Sequence, residues 1–205
     1  INTAVATPFG QPFSPGLNSD FAGIDFNPVP DRLRVVGSST QNFRLNPDET
    51  TRTVTVVDFD PNIPGLQVDP NLFFDPGDSS VGRSPDINAG VTPNVVATAY
   101  RNNRADAATT PQRTTQFGID SELDILVQQG SPTGSPISPN TGRLFTIGDL
   151  GFDFGADTAF DITTDVDRRD TAFATSNSRL YNIDLTSGAA TQLGTVRVDG
   201  YQVHI

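Results

Sequence analysis

Apolar and polar residues alternate along much of the chain, in short runs bounded by Gly, Pro, Asn and Asp. The stretch GIDFNPVPDRLRVVGSSTQNFRLNPDE, which begins at Gly23, shows the alternation most clearly. It predicts short strands joined by tight turns. In the strand RLRVV, Arg32 and Arg34 share one face, while Leu33 and Val35 share the other. The fold class that this pattern predicts is all-β.

Three segments resemble one another: residues 23–57, residues 94–103 with 114–130, and residues 159–196. Each contains a short apolar strand, an aromatic-centred strand that ends in Leu or Ile followed by Asn or Asp, a tight turn and a further strand. The alignment makes Asn46, Asp120 and Asp184 equivalent, as side chains that accept hydrogen bonds from backbone N–H groups about two residues further on.

A weaker echo links residues 142–151 with the third segment, so that Phe145 matches Tyr181. The repeat spacing fits units of about 30–45 residues. The chain is therefore predicted to form a propeller-like array of about five to six degenerate four-stranded units.

The domain organisation follows from the segments that do not repeat. Residues 1–20 are predicted to be an extended N-terminal arm, and residues 21–205 a single propeller-like domain. Residues 58–94 form a Pro-rich irregular excursion within it, with short strands expected at 65–68 and 72–74. The arm could close the ring as an added strand, or pair with a neighbouring molecule to give a homo-oligomer or fibre.

Composition supports the β assignment and limits the partners. The net charge is −11, all 13 basic residues are Arg, and the only two Glu are Glu49 and Glu122. Asp favours turns and caps, whereas the missing Lys and Glu are typical of helix surfaces. The acidic balance disfavours nucleic acid and anionic membranes as partners, and no apolar run approaches the ~18 residues of a transmembrane segment.

Missing residue types exclude several chemistries. The chain has no Cys and no Met, and His204 is its only histidine. Disulfides, thiolate metal sites and multi-histidine sites are excluded, and a Ser-His-Asp triad is strongly disfavoured. The lack of Met predicts that a leader was removed or that further residues precede Ile1.

One group of charged and amide residues is the candidate ligand-binding site. On the strand after Arg32 and Arg34, Arg44 can lie across from them, and Asp25 can bridge the arginines. The group is either an ion-pair network between strands or an arginine cluster that receives an acidic sugar or a partner's carboxylate. The candidate residues are Asp25, Asp31, Arg32, Arg34, Asn42 and Arg44.

No cofactor is required by the sequence, but Ca²⁺ is a candidate ligand. Asp58, Asp60, Asn62 and Asp69 occupy positions one, three, five and twelve of a loop like that of an EF-hand. Ile63 replaces the glycine of position six, and Asp69 replaces the bidentate Glu. A second acidic group contains Asp161, Asp165, Asp167 and Asp170, with Arg168 and Arg169 available to neutralise it.

Residues 20–196 resemble a bacterial family known as domain of unknown function 4394. The resemblance lies in GIDFNPVPDRLRVVGSSTQNFRLNPDE, DINAGVTPNVVATAYRNN, FGIDSELDILVQQGSP and the run from FDITTD to TQLG. It implies an exported, β-propeller-like domain at the cell surface or outside the cell. It implies no activity.

Three functions fit the sequence. The leading hypothesis is a secreted, non-enzymatic structural or interaction module, which could self-assemble at the cell surface or in extracellular matrix through residues 1–20. The alternative is a carbohydrate- or ligand-binding propeller with an Arg/Asp rim. A hydrolase with paired carboxylates is the third, disfavoured because Glu49 and Glu122, as the usual type of general acid, both fall at predicted turns.

Overall fold

The computed structural model describes residues 5–104, 113–198 and 201–202 of the 205-residue chain. Within these residues the fold is all-β, as predicted, and it contains strands and short 3₁₀ turns but no α-helix. No helix in this part of the chain is long and apolar enough to cross a bilayer. The 3₁₀ turns are Ser79–Val81, Pro132–Gly134 and Pro139–Thr141.

The first sheet is a four-stranded antiparallel meander in the order β1-β2-β3-β4. Its strands are β1 (Ala22–Asn27), β2 (Arg32–Gly37), β3 (Asn42–Asp48) and β4 (Thr53–Val56). The register pairs Asp25 with Arg34 and Arg34 with Arg44, so these side chains share one face. The predicted placement of Arg44 across from Arg34 is confirmed.

The second sheet has five strands in the order β5-β9-β8-β7-β6. The strands are β5 (Phe73–Phe74), β6 (Val95–Tyr100), β7 (Gln116–Asp120), β8 (Ile125–Gln129) and β9 (Arg143–Asp149). Strands β6 to β9 form an antiparallel meander, and β5, from the excursion, pairs with β9 in parallel. Phe74 is buried with Leu72 in the core under this sheet, which explains the apolar run in an otherwise polar segment. The strand expected at residues 65–68 is absent.

The third sheet is another four-stranded antiparallel meander. It contains β10 (Ala159–Thr164), β11 (Asp170–Ser176), β12 (Arg179–Ile183) and β13 (Ala190–Thr195). A two-stranded hairpin of β14 (Arg197–Val198) and β15 (Tyr201–Gln202) follows.

The sheets meet through their first strands. β6 packs against β1 on one side and β10 on the other, and every side chain of β6 is buried. A Cβ atom at Gly23 would lie 2.5 Å from the backbone nitrogen of Thr98, so glycine permits the close approach of β1 and β6. The largest apolar core, which includes Ile119, Leu126 and Ile162, lies between the second and third sheets.

The prediction of about five to six units is wrong for the described residues, which form three sheets of four or five strands, none of them closed. The echo at residues 142–151 caused part of the overcount. Phe145 lies in β9, the fourth strand of its meander, whereas Tyr181 lies in β12, a third strand. Similar alternation in two strands therefore did not mean the same position in a unit.

Residues 5–20 contain no strand, so the part of the arm within the structure does not close a ring by strand addition. It packs on the first sheet instead. The ring of Phe13 lies edge-on against Phe43, with centroids 6.0 Å apart, and the guanidinium of Arg52 lies 5.2 Å above the centre of Phe9. Self-association through residues 1–20 stays a prediction.

The recurring turn is present, but its first member is misplaced by the sequence alignment. Asp120 accepts hydrogen bonds from the backbone N–H groups of Glu122 and Leu123, and Asp184 accepts from those of Thr186 and Ser187. In the first sheet the side chain with this role is Asp48, which accepts from residues 50 and 51, and not Asn46. Strand pairing continues through Asn46, opposite Thr55, so the turn begins two residues later.

Candidate functional site

The candidate site is built around Arg34, a fully buried arginine on β2 with 1% of its surface exposed. Its Nη1 donates to Asp69 Oδ2 at 2.6 Å and to Asn42 Oδ1 at 2.7 Å. Its Nη2 donates to Asn140 Oδ1 at 2.6 Å, and its Nε donates to the Tyr100 hydroxyl at 3.3 Å. A buried cation needs such partners, since an unpaired charge in the interior is very costly.

Burial alone would lower the pKa of Arg34, but its neighbours Tyr100 and Asp69 outweigh this and raise the pKa above its ordinary value. The guanidinium is therefore a permanent positive charge.

Asp69 joins Arg34 to the next strand. Arg44 donates from Nη2 to Asp69 Oδ1 at 2.7 Å and from Nε to Asp69 Oδ2 at 2.9 Å, the side-on geometry that suits a guanidinium and a carboxylate. Arg44 Nη2 also donates to the backbone oxygen of Asp58. One buried carboxylate from the excursion thus serves two arginines of the first sheet.

A network of uncharged side chains connects these ion pairs to the second sheet. The Tyr100 hydroxyl donates to Gln116 Oε1, and Gln116 Nε2 donates to Gln129 Oε1. Gln129 Nε2 donates to Asn42 Oδ1 and to the Pro139 carbonyl. This series of hydrogen bonds runs from one sheet to the other and fixes the rotamers of the side chains that take part in it.

Above this hydrogen-bond network lies a cleft of about 480 Å³ between the first two sheets, which we call the arginine cleft. Arg34 and Arg44 contribute to its floor, while the half-buried Arg32 and the exposed Arg113 lie nearer solvent. Of the described residues that line the cleft, none is acidic. Apolar surface comes from Val29, Pro30, Val57 and Pro139.

The cleft has free donors and few free acceptors. Within the described residues Arg32 donates only to the backbone oxygens of Pro30 and Asp31, and Arg113 makes no ion pair. Arg44 Nη1 and the Asn140 amide nitrogen make no hydrogen bond in this part of the chain, while Asn140 Oδ1 already accepts from Arg34. A ligand rich in acceptor oxygens is the complement of such a surface.

The structure brings together only part of the predicted ligand-binding group. Arg32, Arg34 and Arg44 line the cleft, and Asn42 bonds Arg34 beneath it. Asp31 lies in the β1–β2 turn with a φ of 52°, and it makes no side-chain bond to these arginines.

The sequence predicted that Asp25 bridges the arginines, but in the structure it does not. Its Oδ2 accepts from the backbone N–H of Tyr100 at 2.6 Å, and its Oδ1 accepts from that of Phe26. The close packing of β1 on β6 brings that backbone N–H within reach of the carboxylate, and Arg34 already has Asp69. Burial, with a smaller contribution from the charge of Asp161, raises the pKa of Asp25.

Sequence reasoning missed several residues of the site, among them Tyr100, Arg113 and Asn140. They come from segments far from the first sheet, and Tyr100 was assigned only to a repeated strand. Its polar tip at the end of an apolar strand is the one sequence signal that could have marked it.

The residues proposed for Ca²⁺ do not form one carboxylate cluster. Asp58 accepts from the backbone N–H groups of Asp60 and Gln67, and Asp60 accepts from Asn62, so these three stabilise a turn. Asp69 is separated from them by its bonds to the two arginines. Among residues 5–104, 113–198 and 201–202, no three acidic or histidine side chains gather as metal ligands. Calcium binding stays a prediction that this arrangement does not favour.

The side chains of the second acidic group also bond separate partners. Asp165 accepts from the backbone N–H groups of Asp167 and Arg169, and Asp167 pairs with Arg169 at 3.3 Å. Asp170 pairs at 3.0 Å with Arg101, which follows β6. His204 lies outside the described residues.

Comparison with known families gives one result. Residues 1–204, nearly the whole chain, match the family model described as "Domain of unknown function (DUF4394)". No curated protein matches the sequence. The match agrees with the resemblance noted in the sequence and brings no activity with it.

Proposed function

We propose that this chain, which belongs to the DUF4394 family of unknown function, is a non-enzymatic domain that binds an anionic ligand in the arginine cleft. One observation supports this most directly. Four arginines line a single cleft in a protein of net charge −11, and the only carboxylate bonded to any of them is Asp69 within the described residues.

The charge count distinguishes this proposal from a structural ion-pair network. Among the described residues, four guanidinium groups against the single carboxylate of Asp69 leave an excess of three positive charges at the cleft. A network that served only to tie strands together would pair its charges, as Arg101 and Asp170 do elsewhere. A cleft with charges of one sign and low-dielectric walls concentrates ligands of the opposite sign.

The choice of binding over catalysis also has support at the cleft. General acid and base chemistry needs a titratable group within hydrogen-bond reach of the ligand. The described lining residues offer arginine, amide and hydroxyl groups but no carboxylate or imidazole. These groups can position an anion through hydrogen bonds.

The proposal includes a propeller-like architecture and an extracellular or cell-surface location. The propeller is supported by three consecutive meanders whose first strands β1, β6 and β10 lie side by side. The location rests on the exported character that the family resemblance implies.

The test is calorimetric titration with citrate, a small anion with several carboxylates. Because charge-assisted bonds contribute about 1.5–3 kcal/mol each, the double variant Arg32→Ala, Arg113→Ala should bind citrate at least about tenfold more weakly than the original protein. Binding should also weaken as salt is added, since exposed charges are screened.

Arg179→Ala is the matched control, because Arg179 is an exposed arginine on β12 of the third sheet, away from the cleft. It should leave the affinity for citrate unchanged. Equal affinity of the double variant and this control would contradict the proposal, and so would the absence of binding by both citrate and larger carboxylated anions.

A further inference from the structure

We infer that the anion is a carboxylated saccharide chain, a short run of uronic acid units; this rests on the proposed function and narrows it. The inference comes from five features of the arginine cleft: its size, its apolar wall, the depth at which its charges lie, its uncharged donors, and the predominance of side-chain donors over backbone donors.

The size of the cleft exceeds what a single inorganic anion needs. A volume of about 480 Å³ falls in the range of sites that hold organic ligands of drug size. Phosphate or sulfate alone would leave most of this space, and most of the free donors, without a partner.

The wall of the cleft provides apolar surface next to the charges. Val29 and Pro30 belong to the β1–β2 turn, Val57 follows β4, and Pro139 begins a 3₁₀ turn. These side chains present C–H groups, against which the C–H face of a sugar ring can pack. A small, fully hydrated anion would gain nothing from them.

The arginines lie at different depths, which indicates more than one anionic group. Arg34 has 1% of its side chain exposed and Arg44 has 17%, whereas Arg32 is half-buried and Arg113 is exposed. Charges placed from the floor to the mouth suit a ligand whose negative groups repeat along its length.

Uncharged donors supply the partners that sugar hydroxyl groups need. The amide nitrogens of Asn27 and Asn140 are free within the described residues, and both line the cleft. The Ser131 and Ser138 oxygens already accept backbone bonds, so their O–H groups can donate.

The choice of a carboxylate over a phosphate group follows from the source of the donors in the cleft. Phosphate sites in proteins commonly use the N-terminus of a helix or a series of backbone N–H groups. The described lining contributes side-chain donors instead, apart from short 3₁₀ turns.

The test compares trigalacturonate with its methyl ester, a sulfated trisaccharide and citrate, by calorimetric titration of the full chain. The ester keeps the three rings and removes their charges. We expect trigalacturonate to bind at least tenfold more tightly than the ester, than the sulfated trisaccharide and than citrate.

Two variants test which residues contribute to binding. Val29→Ser should weaken the binding of trigalacturonate severalfold and leave the affinity for citrate within twofold, because the Val29 side chain can contact only the sugar rings. Arg179→Ala should change neither affinity.

The outcomes separate this inference from the function on which it rests. If citrate binds but trigalacturonate binds no more tightly than its ester or citrate, the assignment of a saccharide ligand is wrong, and the proposed anion-binding function is retained. Tighter binding of the sulfated trisaccharide overturns the choice of carboxylate. If neither citrate nor trigalacturonate binds, the inference and the proposed function both fail.

Discussion

Arg34 depends on partners from three distant segments: Asp69 from the excursion, Tyr100 from β6 and Asn140 from a 3₁₀ turn. Removing Asp69 would leave two guanidinium groups without their counterion, a change that typically costs several kcal/mol when the charge is buried. The residue that the sequence assigned to a calcium loop is instead the counterion that sets the charge of the cleft floor.

Asp25 shows the opposite balance, since its environment disfavours the charged form. Burial raises its pKa, although hydrogen bonds from the backbone of Tyr100 and Phe26 act to lower it. A carboxyl whose pKa is raised by folding contributes most stability below its unfolded pKa, and loses that contribution as pH rises through the folded pKa.

We therefore predict the pH dependence of an Asp25→Asn variant. Asparagine keeps an oxygen that can accept from the Tyr100 backbone but has no charge to bury. The free energy of unfolding of the variant minus that of the original protein should increase as pH rises from about 3 to about 6, because only the original protein loses stability over that range. Urea denaturation at a series of pH values measures this difference. A difference that stays constant, or that moves in the other direction, would show that burial does not control this carboxyl.

At the scale of elements, the recurring feature is a five-residue corner. A side-chain acceptor begins it, and a residue with positive φ ends it four positions later. The pairs are Asn27 and Asp31, Asp48 and Arg52, Asp120 and Asp124, and Asp184 and Gly188. In three of the four corners the acceptor is an Asp, which satisfies backbone N–H groups that the strands leave unpaired.

Asp120 is the most buried of these acceptors and allows a direct test. It is fully buried and accepts from the backbone N–H groups of Asn94, Glu122 and Leu123. Asp120→Ala should lower the free energy of unfolding by about 2 kcal/mol or more, since several buried donors lose their partner.

The control is Glu122→Ala in the same corner, which should change stability by less than about 0.5 kcal/mol because Glu122 is exposed. Chemical denaturation of both variants gives the comparison. Equal losses would mean that the corner depends on its sequence as a whole and not on the capping carboxylate.

At the scale of the whole molecule, β6 holds the assembly together. It is buried along its full length between β1 and β10, and it positions Tyr100 under the arginine cleft. The approach of β1 is so close that a Cβ on Gly23 would lie 2.6 Å from the Ala97 backbone as well as 2.5 Å from Thr98 N.

Gly23→Ala should therefore destabilise the protein by about 1–3 kcal/mol, because backbone atoms of β6 cannot move aside as a flexible side chain would. Thermal denaturation provides the measurement. Gly194→Ala, in β13, is the control, since a Cβ there meets nothing within 4 Å and should be nearly neutral. If the two alanine variants were equally stable, the packing of β1 on β6 would be looser than described.

The architecture was predictable as far as local pattern reaches. Alternation identified the strands around Arg34, and the Asp-rich corners identified their turns. The number of units was not predictable, because β9 and β12 have similar patterns but different places in their meanders. The shift from Asn46 to Asp48 arose for a related reason: the end of a strand depends on where its partner strand ends.

The sequence by itself determined the all-β class, the Arg-only basic set and the placement of Arg32, Arg34 and Arg44 on one face, because these follow from residue type and the two-residue period of a strand. Only the tertiary structure decided which charges meet. Asp69 reaches the arginines through a long irregular loop, and Asp25 turns to the backbone of β6 because sheet packing places an N–H there. Contacts between distant segments depend on how whole sheets pack, and no local period encodes that packing.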